Sequence, residues 1–344
     1  MTEPRVHVIH ENPEWFPPLA AAFAEEGVPV AEILLTDGAI DLDAEPEPGV
    51  YWSRLSASSH TRDHADAKEY GRALLGWLER AGRTVVNGSS VLEIEVSKVR
   101  QHGLLRAAGF DVPRTVAAFG RADLIAAAER FVAATPGAPF ITKHNQGGKG
   151  LGVRRFDAVA ELREYVQSPA FEAPVDGITL IQEHLRSAEP FITRVEFVDA
   201  AFVYAVRVDT SGGSFELCPA DACAVPDATA REQGGAFAPA ACDVPLAGPA
   251  ASPFTLRDDI QASTPIVQRL ERFLADAGIQ IAGIEFMETD DGRTVVYDIN
   301  TNTNYNPDVE SVSPVSGPRT IAAYLGRVLA TATPDSSPRQ TADR

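Results

Sequence analysis

A chain of 344 residues with 44% hydrophobic and 23% charged side chains has an ordinary globular composition and length for two or three packed units. Its 30 basic against 48 acidic side chains leave a net charge of -18, a field that repels polyanions and argues against a nucleic-acid partner. The start MTEPRVHVIHENPEW lacks the basic and apolar regions of a secretory signal, no apolar run reaches spanning length, and Cys218, Cys223 and Cys242 have no CxxC spacing, so the expectation is a cytoplasmic protein with no membrane partner, disulfide framework or zinc site.

In chain order, the first hundred residues alternate RVHVIH, an amphipathic stretch near Trp15 to Glu26, PVAEILL, GVYWS, the helical DAKEYGRALLGWLERAG and TVVNG. That alternation predicts a small α/β unit on a parallel sheet. SKVRQHGLLRAAGF predicts a helix, PRTVAAF a strand, and Ala122 to Ala134 an alanine-rich helix. DAVAELREYVQ predicts another helix, with Asp157 as its N-cap. From ITLIQEHL onward strands dominate: PFITRVEFV, AFVYAVRVD, AGIEFME and TVVYDIN. Residues 214–254, rich in proline, glycine and alanine, predict a long irregular loop, and residues 331–344 a disordered tail.

The stretch FITKHNQGGKGLGVRRF, residues 140–156, is the first chemical signal. A P-loop needs Gly-Lys followed by Ser or Thr and then a helix, whereas Lys149 precedes Gly150 and a strand-like VRRF. A dinucleotide fingerprint likewise needs a helix opening at its glycines. Neither HRD nor DFG occurs, which removes the protein kinases. What remains is a glycine flap between two strands, able to close backbone amides over phosphates, with Lys143 beside it as a positive charge; a plain glycine turn is the alternative.

The second signal is GIEFMETDDGRTVVYDINTNTNYN. A two-residue turn at Asp291-Gly292 pairs Asp290 with Arg293 and sets Glu285 opposite Asp298. Alternation then puts Glu285, Asp298 and Asn300 on one face, with Met287 and Val296 nearer the turn, and Ile284, Phe286, Tyr297 and Ile299 on the other. Two facing carboxylates need a cation between them, and this trio of oxygen donors suits Mg²⁺.

Taken in serial order, SKVRQHGLLRAAGFDVPRT, ITKHNQGGKGLGV, LIQEHL and YDINTNTNYN resemble the ATP-grasp superfamily, in the style of the RimK-like and glutathione synthetase-like carboxylate-amine ligases, over about residues 1–330. The resemblance implies an α/β protein, α+β in its ATP-binding part. It places a pre-ATP-grasp α/β domain at residues 1–96, a small ATP-grasp subdomain with the flap at 97–185, and a C-terminal subdomain with the metal site at 186–330. The two subdomains would clamp ATP. The same resemblance implies that Lys98, Lys143 and the flap (Gly147, Gly148, Lys149, Gly150) hold the phosphates, that Gln182, Glu183, His184 and Leu185 meet adenine and ribose, and that Glu285, Asp298 and Asn300 bind Mg²⁺, two ions, with Mn²⁺ as an alternative. Arg194 and Arg207 would face the γ-phosphate and the acyl phosphate. Relatives carry an aspartate two positions before the first of these arginines; here Ile192 stands there, with Glu189 as substitute.

The implied activity is ATP-dependent amide formation between small-molecule carboxylate and amine substrates, amino-acid or peptide-like. A small-molecule kinase and a catalytically silent ATP-binding protein are the alternatives, and a homodimer is left open. For substrate contacts the polar loops offer Arg54, Ser56, Ser59, His60, Arg62, Asp221, Asn302, Asn304 and Asn306, with Arg54 suited to a bidentate carboxylate pair.

Overall fold

A computed structural model describes residues 3–148, 150, 152–211 and 252–332. Lys149, Asp221, the three cysteines, most of the 214–254 stretch and residues 333–344 lie outside them.

The N-terminal segments form a parallel sheet of β1 (Arg5–His10), β2 (Val30–Leu34), β3 (Gly49–Ser53) and β4 (Thr84–Val86) in the order β2-β1-β3-β4. Both faces are covered, as a parallel sheet requires. Val6, Val8, Val50 and Trp52 pack on one side with Leu19 and Phe23 of α1 (Phe16–Glu25). Ile9 and Tyr51 pack on the other with Leu74, Leu75 and Leu78 of α2 (Ala67–Arg80).

After α3 (Ser89–Glu95) and α4 (Lys98–Ala107), a second sheet gathers β5 (Thr115–Phe119), β6 (Phe140–His144), β7 (Arg154–Phe156) and β8 (Ile178–Glu183) in the antiparallel order β5-β8-β6-β7. Helices α5 (Arg121–Ala133) and α6 (Val159–Gln167) cover one face through Leu124, Phe131, Leu162 and Val166. Asp157 does not cap α6. Ala158 is the N-cap, and Asp157 instead receives Arg155 Nη2 at 2.6 Å while its own amide donates to Glu161 Oε2 at 3.0 Å.

The third sheet is antiparallel, order β11-β10-β9-β12-β13, built from β9 (Phe191–Val198), β10 (Ala201–Asp209), β11 (Phe254–Leu256), β12 (Ile281–Glu288) and β13 (Thr294–Asn300). Its core face carries Val195, Ile284, Phe286 and Ile299 against α3, α4 and α7 (Pro265–Ala277). Past α8 (Pro307–Val312), the helix α9 (Gly317–Ala332) returns to the first sheet, burying Ile321 and Leu325 against the Val6/Trp52 face.

The β12–β13 hairpin differs from the simple count in two places that cancel. Thr289 donates its amide to Arg293 O at 2.9 Å, so the loop is the three residues Asp290–Gly292, ending on Gly292 at φ 84°. That slips the register by one, pairing Phe286 with Val296 and Met287 with Val295. A bulge between Glu285 and Phe286 then restores Glu285 opposite Asp298, with Tyr297 as the extra residue. The Glu285–Asp298–Asn300 face is as counted. Val296 and Tyr297 change sides: Val296 enters the core and Tyr297 faces the cleft.

Candidate active site

The second and third sheets face each other across a cleft of about 780 Å³, closed at one end by loops of the first sheet. Its floor is the hairpin face just described. Glu285 and Asp298 stand opposite one another. Burial, and then the charge of Asp298, raise the Glu285 carboxyl above its ordinary value, while Arg194 and Lys98 oppose that shift. Lys98 Nζ donates to Asp298 Oδ1. Burial alone would depress the Lys98 ammonium, but its pairing with Asp298 outweighs burial and raises it.

Arg194, on β9 beside Glu285, is held from three sides. Its Nε meets Glu196 Oε1 at 2.6 Å, its Nη1 meets Glu285 Oε1 at 3.2 Å and its Nη2 meets Thr303 Oγ1 at 2.7 Å. Thr303 Oγ1 in turn donates to Glu196 Oε2 at 2.6 Å. Glu189, the expected partner, lies instead 4.0 Å from Arg207. Glu196 was not singled out from the sequence, although an oppositely charged pair at i and i+2 on one face of an otherwise apolar strand was a legible signal.

Arg207 does not join this site. In the β9–β10 register it is paired with Thr193, whereas Arg194 is paired with Val206. Directly opposed residues share a face, so the two arginines point to opposite sides of the sheet. Arg207 is 41% exposed, stacks on Phe191 at 4.1 Å and does not line the cleft.

The cleft roof is the β6–β7 flap. Lys143, on β6, is buried with its Nζ 6.0 Å from the centroid of the Tyr297 ring. Burial, and then repulsion by Lys98, push its ammonium down to about 8. Gly147, Gly148 and Gly150 line the cleft. A Cβ on Gly148 would stand 3.3 Å from Ser58 Cβ, so the flap already lies close to the loop after β3. Asn145 fixes the base of the flap. Its Oδ1 accepts the Val99 amide of α4 at 2.9 Å, its Nδ2 donates to Asp176 at 2.6 Å and its carbonyl receives the Lys98 amide at 3.3 Å. This ties the lysine of α4 to the lysine of β6.

At the far end Gln182, Glu183, His184 and Leu185 line the wall. Glu183 Oε1 accepts the Arg114 amide at 3.0 Å and Arg293 Nη1 at 3.3 Å, and Gln182 Nε2 donates to Thr115 Oγ1 at 2.9 Å. The Gln182 and Glu183 side chains are engaged by the protein, whereas His184 Nδ1 is buried without a partner, so the wall offers a ligand its backbone, apolar surface and that ring nitrogen.

The expected substrate residues divide. Asn302 and Asn304 line the cleft. Ser59 is buried and His60 half-buried, and neither lines the cleft; both belong to a 3-10 turn, Ser59–Arg62, that stands behind it. Asn306 caps α8, accepting from the Asp308 and Val309 amides at 2.9 and 3.2 Å. Arg54 is 2% exposed and outside the lining. Ser56, one of the expected residues, lines that end of the cleft together with Trp15, Ser58 and Glu95; no motif marked the last three.

This arrangement is the ATP-grasp fold. No family model matches the chain. The D-cycloserine synthetase DcsG has a similar structure, with a TM-score of 0.63 at 17% identity, covering 94% of this chain and 99% of that one. The ATP-grasp ligase PsnB, in a complex with a precursor variant, Mg and ADP, gives 0.58 at 16% identity over 94% and 98%. In sequence, a probable alpha-L-glutamate ligase of Xanthomonas axonopodis pv. citri (strain 306) is 30% identical over 174 residues. That match spans 49% of this chain and about half, 56%, of the ligase. No helix of the described residues is long and apolar enough to cross a membrane.

Proposed function

We propose that this protein is an ADP-forming carboxylate-amine ligase acting on an amino acid or a small peptide-like substrate. The observation that carries the reading is the meeting of two buried cations, Lys143 and Arg194, and the half-buried Lys98 with the Glu285–Asp298–Asn300 face in one cleft. Phosphoryl transfer needs positioned cations around the moving group and a polyphosphate held in line with its acceptor. Lys98 and Lys143 suit the polyphosphate, with the flap amides of Gly147, Gly148 and Gly150 over it and Lys149 contributed by the same loop. Residues 182–185 suit the adenine. Arg194 is the group for the transferring phosphoryl and the acyl phosphate, since its guanidinium is oriented by Glu196 and Thr303 before any ligand arrives.

The residues present also fit Mg²⁺. Asn300 Nδ2 donates to Glu285 Oε1 at 3.3 Å, which leaves the Asn300 carbonyl oxygen as its cation-facing atom. Among the described residues no group of three or more His, Cys, Asp or Glu is placed to hold a metal. Two carboxylates and one amide carbonyl therefore make an incomplete shell, of the kind Mg²⁺ finishes with phosphate oxygens and water. Bound there, the ion supplies neutralisation of phosphate charge; one or two Mg²⁺, or Mn²⁺, satisfy the same donors.

The chemistry follows from leaving groups. A carboxylate oxygen attacks the γ-phosphorus of ATP, the bridging bond to ADP breaks, and the acyl phosphate forms. An amine then adds to the acyl carbon, inorganic phosphate leaves with the C–O bond electrons, and the amine gives up a proton. The flap and the Trp15 end keep water away from the mixed anhydride. The test is ADP release with Mg²⁺ across a matrix of amino acids, di-acids and small peptides, with mass analysis of active pairs. A product equal to the sum of both substrates less one water, with one ADP and one phosphate, is expected. A phosphorylated acceptor as the end product would make the protein a kinase instead.

A further inference from the structure

Arg54 follows β3 at the carboxyl edge of the parallel sheet and folds inward between two indoles, 5.7 Å from the Trp15 centroid and 5.2 Å from that of Trp52. It is 2% exposed, and burial pushes it down to about 10, a value at which it is still a cation at neutral pH. Its Nη2 donates to Thr303 O at 2.8 Å and to Asn304 Oδ1 at 2.9 Å, while Nε and Nη1 have no partner. Both acceptors are neutral. A buried guanidinium without a carboxylate partner is costly, and a fold that retains one beside a cleft invites a functional account.

The consequence falls on Asn304. With its Oδ1 turned to Arg54, the amide is oriented to present its two Nδ2 hydrogens to the cleft. Donation from a guanidinium polarises that amide and strengthens those donors. Two residues earlier, Asn302 Oδ1 is buried and without a partner. The same Thr303 that receives Arg54 through its carbonyl holds Arg194 through its hydroxyl, so the recognition loop and the proposed catalytic arginine share one residue.

We infer that Arg54 is a positioning residue that turns Asn304 into a donor-only contact for a carboxylate or carbonyl group of the acid substrate at the Trp15 end of the cleft. The cation never touches the substrate; its charge is relayed through one side-chain amide. This rests on the ligase reading above and specifies which residue selects the acid.

Asn304→Asp separates this from a structural role because the two readouts move in opposite directions. The new carboxylate gives Arg54 a counter-ion, so the thermal midpoint of the free protein rises. The same change removes both donors, so the KM for the acid rises about tenfold or more, the size of one lost charge-assisted hydrogen bond. Affinity for Mg·ADP stays within about twofold, because the nucleotide end is distant from the change. Asn304→Ala, which deletes the donors without adding charge, raises the same KM without raising the midpoint. The probe is whichever of glutamate, D-alanine and the remaining amino acids best supports ADP release by the wild type. An unchanged KM in Asn304→Ala overturns the donor role, and a midpoint that does not rise in Asn304→Asp overturns the Arg54 relay whatever the activity. A wild type inactive with every acid, while still binding Mg·ADP, would remove the ligase reading itself and this inference with it.

Discussion

Lys143 and Glu285 are residues whose ionisation the fold disturbs in directions that a bound polyphosphate and a bound cation would reverse. Lys143 is pushed down to about 8 from 10.5, so between those values the folded chain binds fewer protons than the unfolded one and stability rises with pH. Below about 8 the ammonium is charged, and a nucleotide polyphosphate stabilises that form. Nucleotide binding at about pH 8.5 therefore takes up a proton, which calorimetry in buffers of different ionisation heat measures, and Lys143→Ala both weakens ATP binding and abolishes the uptake; binding without proton uptake would contradict the assignment. Glu285 is raised by burial and by Asp298. Its ionised form is a native-state cost that grows as pH rises above the ordinary carboxyl value, so Glu285→Gln leaves the free protein as stable or more stable while turnover falls below detection. Asp298→Ala and Asn300→Ala lose turnover with the fold intact, read by circular dichroism alongside ADP release.

The elements that build the site were legible where their signals are local. Strands rich in β-branched and aromatic residues, such as RVHVIH and PFITRVEFV, and the glycine flap between β6 and β7 stand where their sequences put them. The hairpin was legible only through two offsetting events. A bulge has no sequence signature of its own, so Tyr297 was assigned to the core face when the extra residue turns it to the cleft. Arg207 failed for a related reason: which face a strand residue takes depends on cross-strand register, and the β9–β10 connection and its own register shift are tertiary facts. Gly283 is likewise silent in the sequence. It sits on β12 opposite Asn300 and Glu196, and a Cβ there would lie 2.6 Å from Arg194 Nη2. Because the clash is with the end of a side chain, Gly283→Ala displaces the guanidinium from Glu285 and Thr303 at modest cost to the fold. The expectation is a loss of about 1 kcal/mol in stability and a fall in kcat of about a hundredfold, with Mg·ADP affinity retained. A kcat near wild type would mean that Arg194 is not positioned as described.

At the scale of the molecule, the chain closes on itself. Helix α9 packs on the first sheet beside α1, and its Leu325 is fully buried. No local pattern announces that pairing, since the apolar stripe of α9 states that it must be covered but not by which sheet. Leu325→Ala costs about 2–5 kcal/mol, read by denaturant unfolding; a cost below about 0.5 kcal/mol would place α9 elsewhere. The closure brings the loop after β3 to the same cleft as the flap and the Glu285–Asp298 hairpin, so one cavity holds the gathered cations, the carboxylate face and a separate polar end. The overall charge of -18 makes that local gathering of Lys98, Lys143 and Arg194 a feature of the site and not of the surface. The direct test of acyl phosphate chemistry is oxygen transfer. The acid substrate is labelled with ¹⁸O in its carboxylate, turned over with ATP and amine, and the released phosphate is analysed by mass spectrometry. One labelled oxygen per phosphate is predicted, because the carboxylate oxygen that attacks ATP departs with the phosphoryl group. Unlabelled phosphate would show that the carboxylate is never phosphorylated and would contradict the ligase assignment.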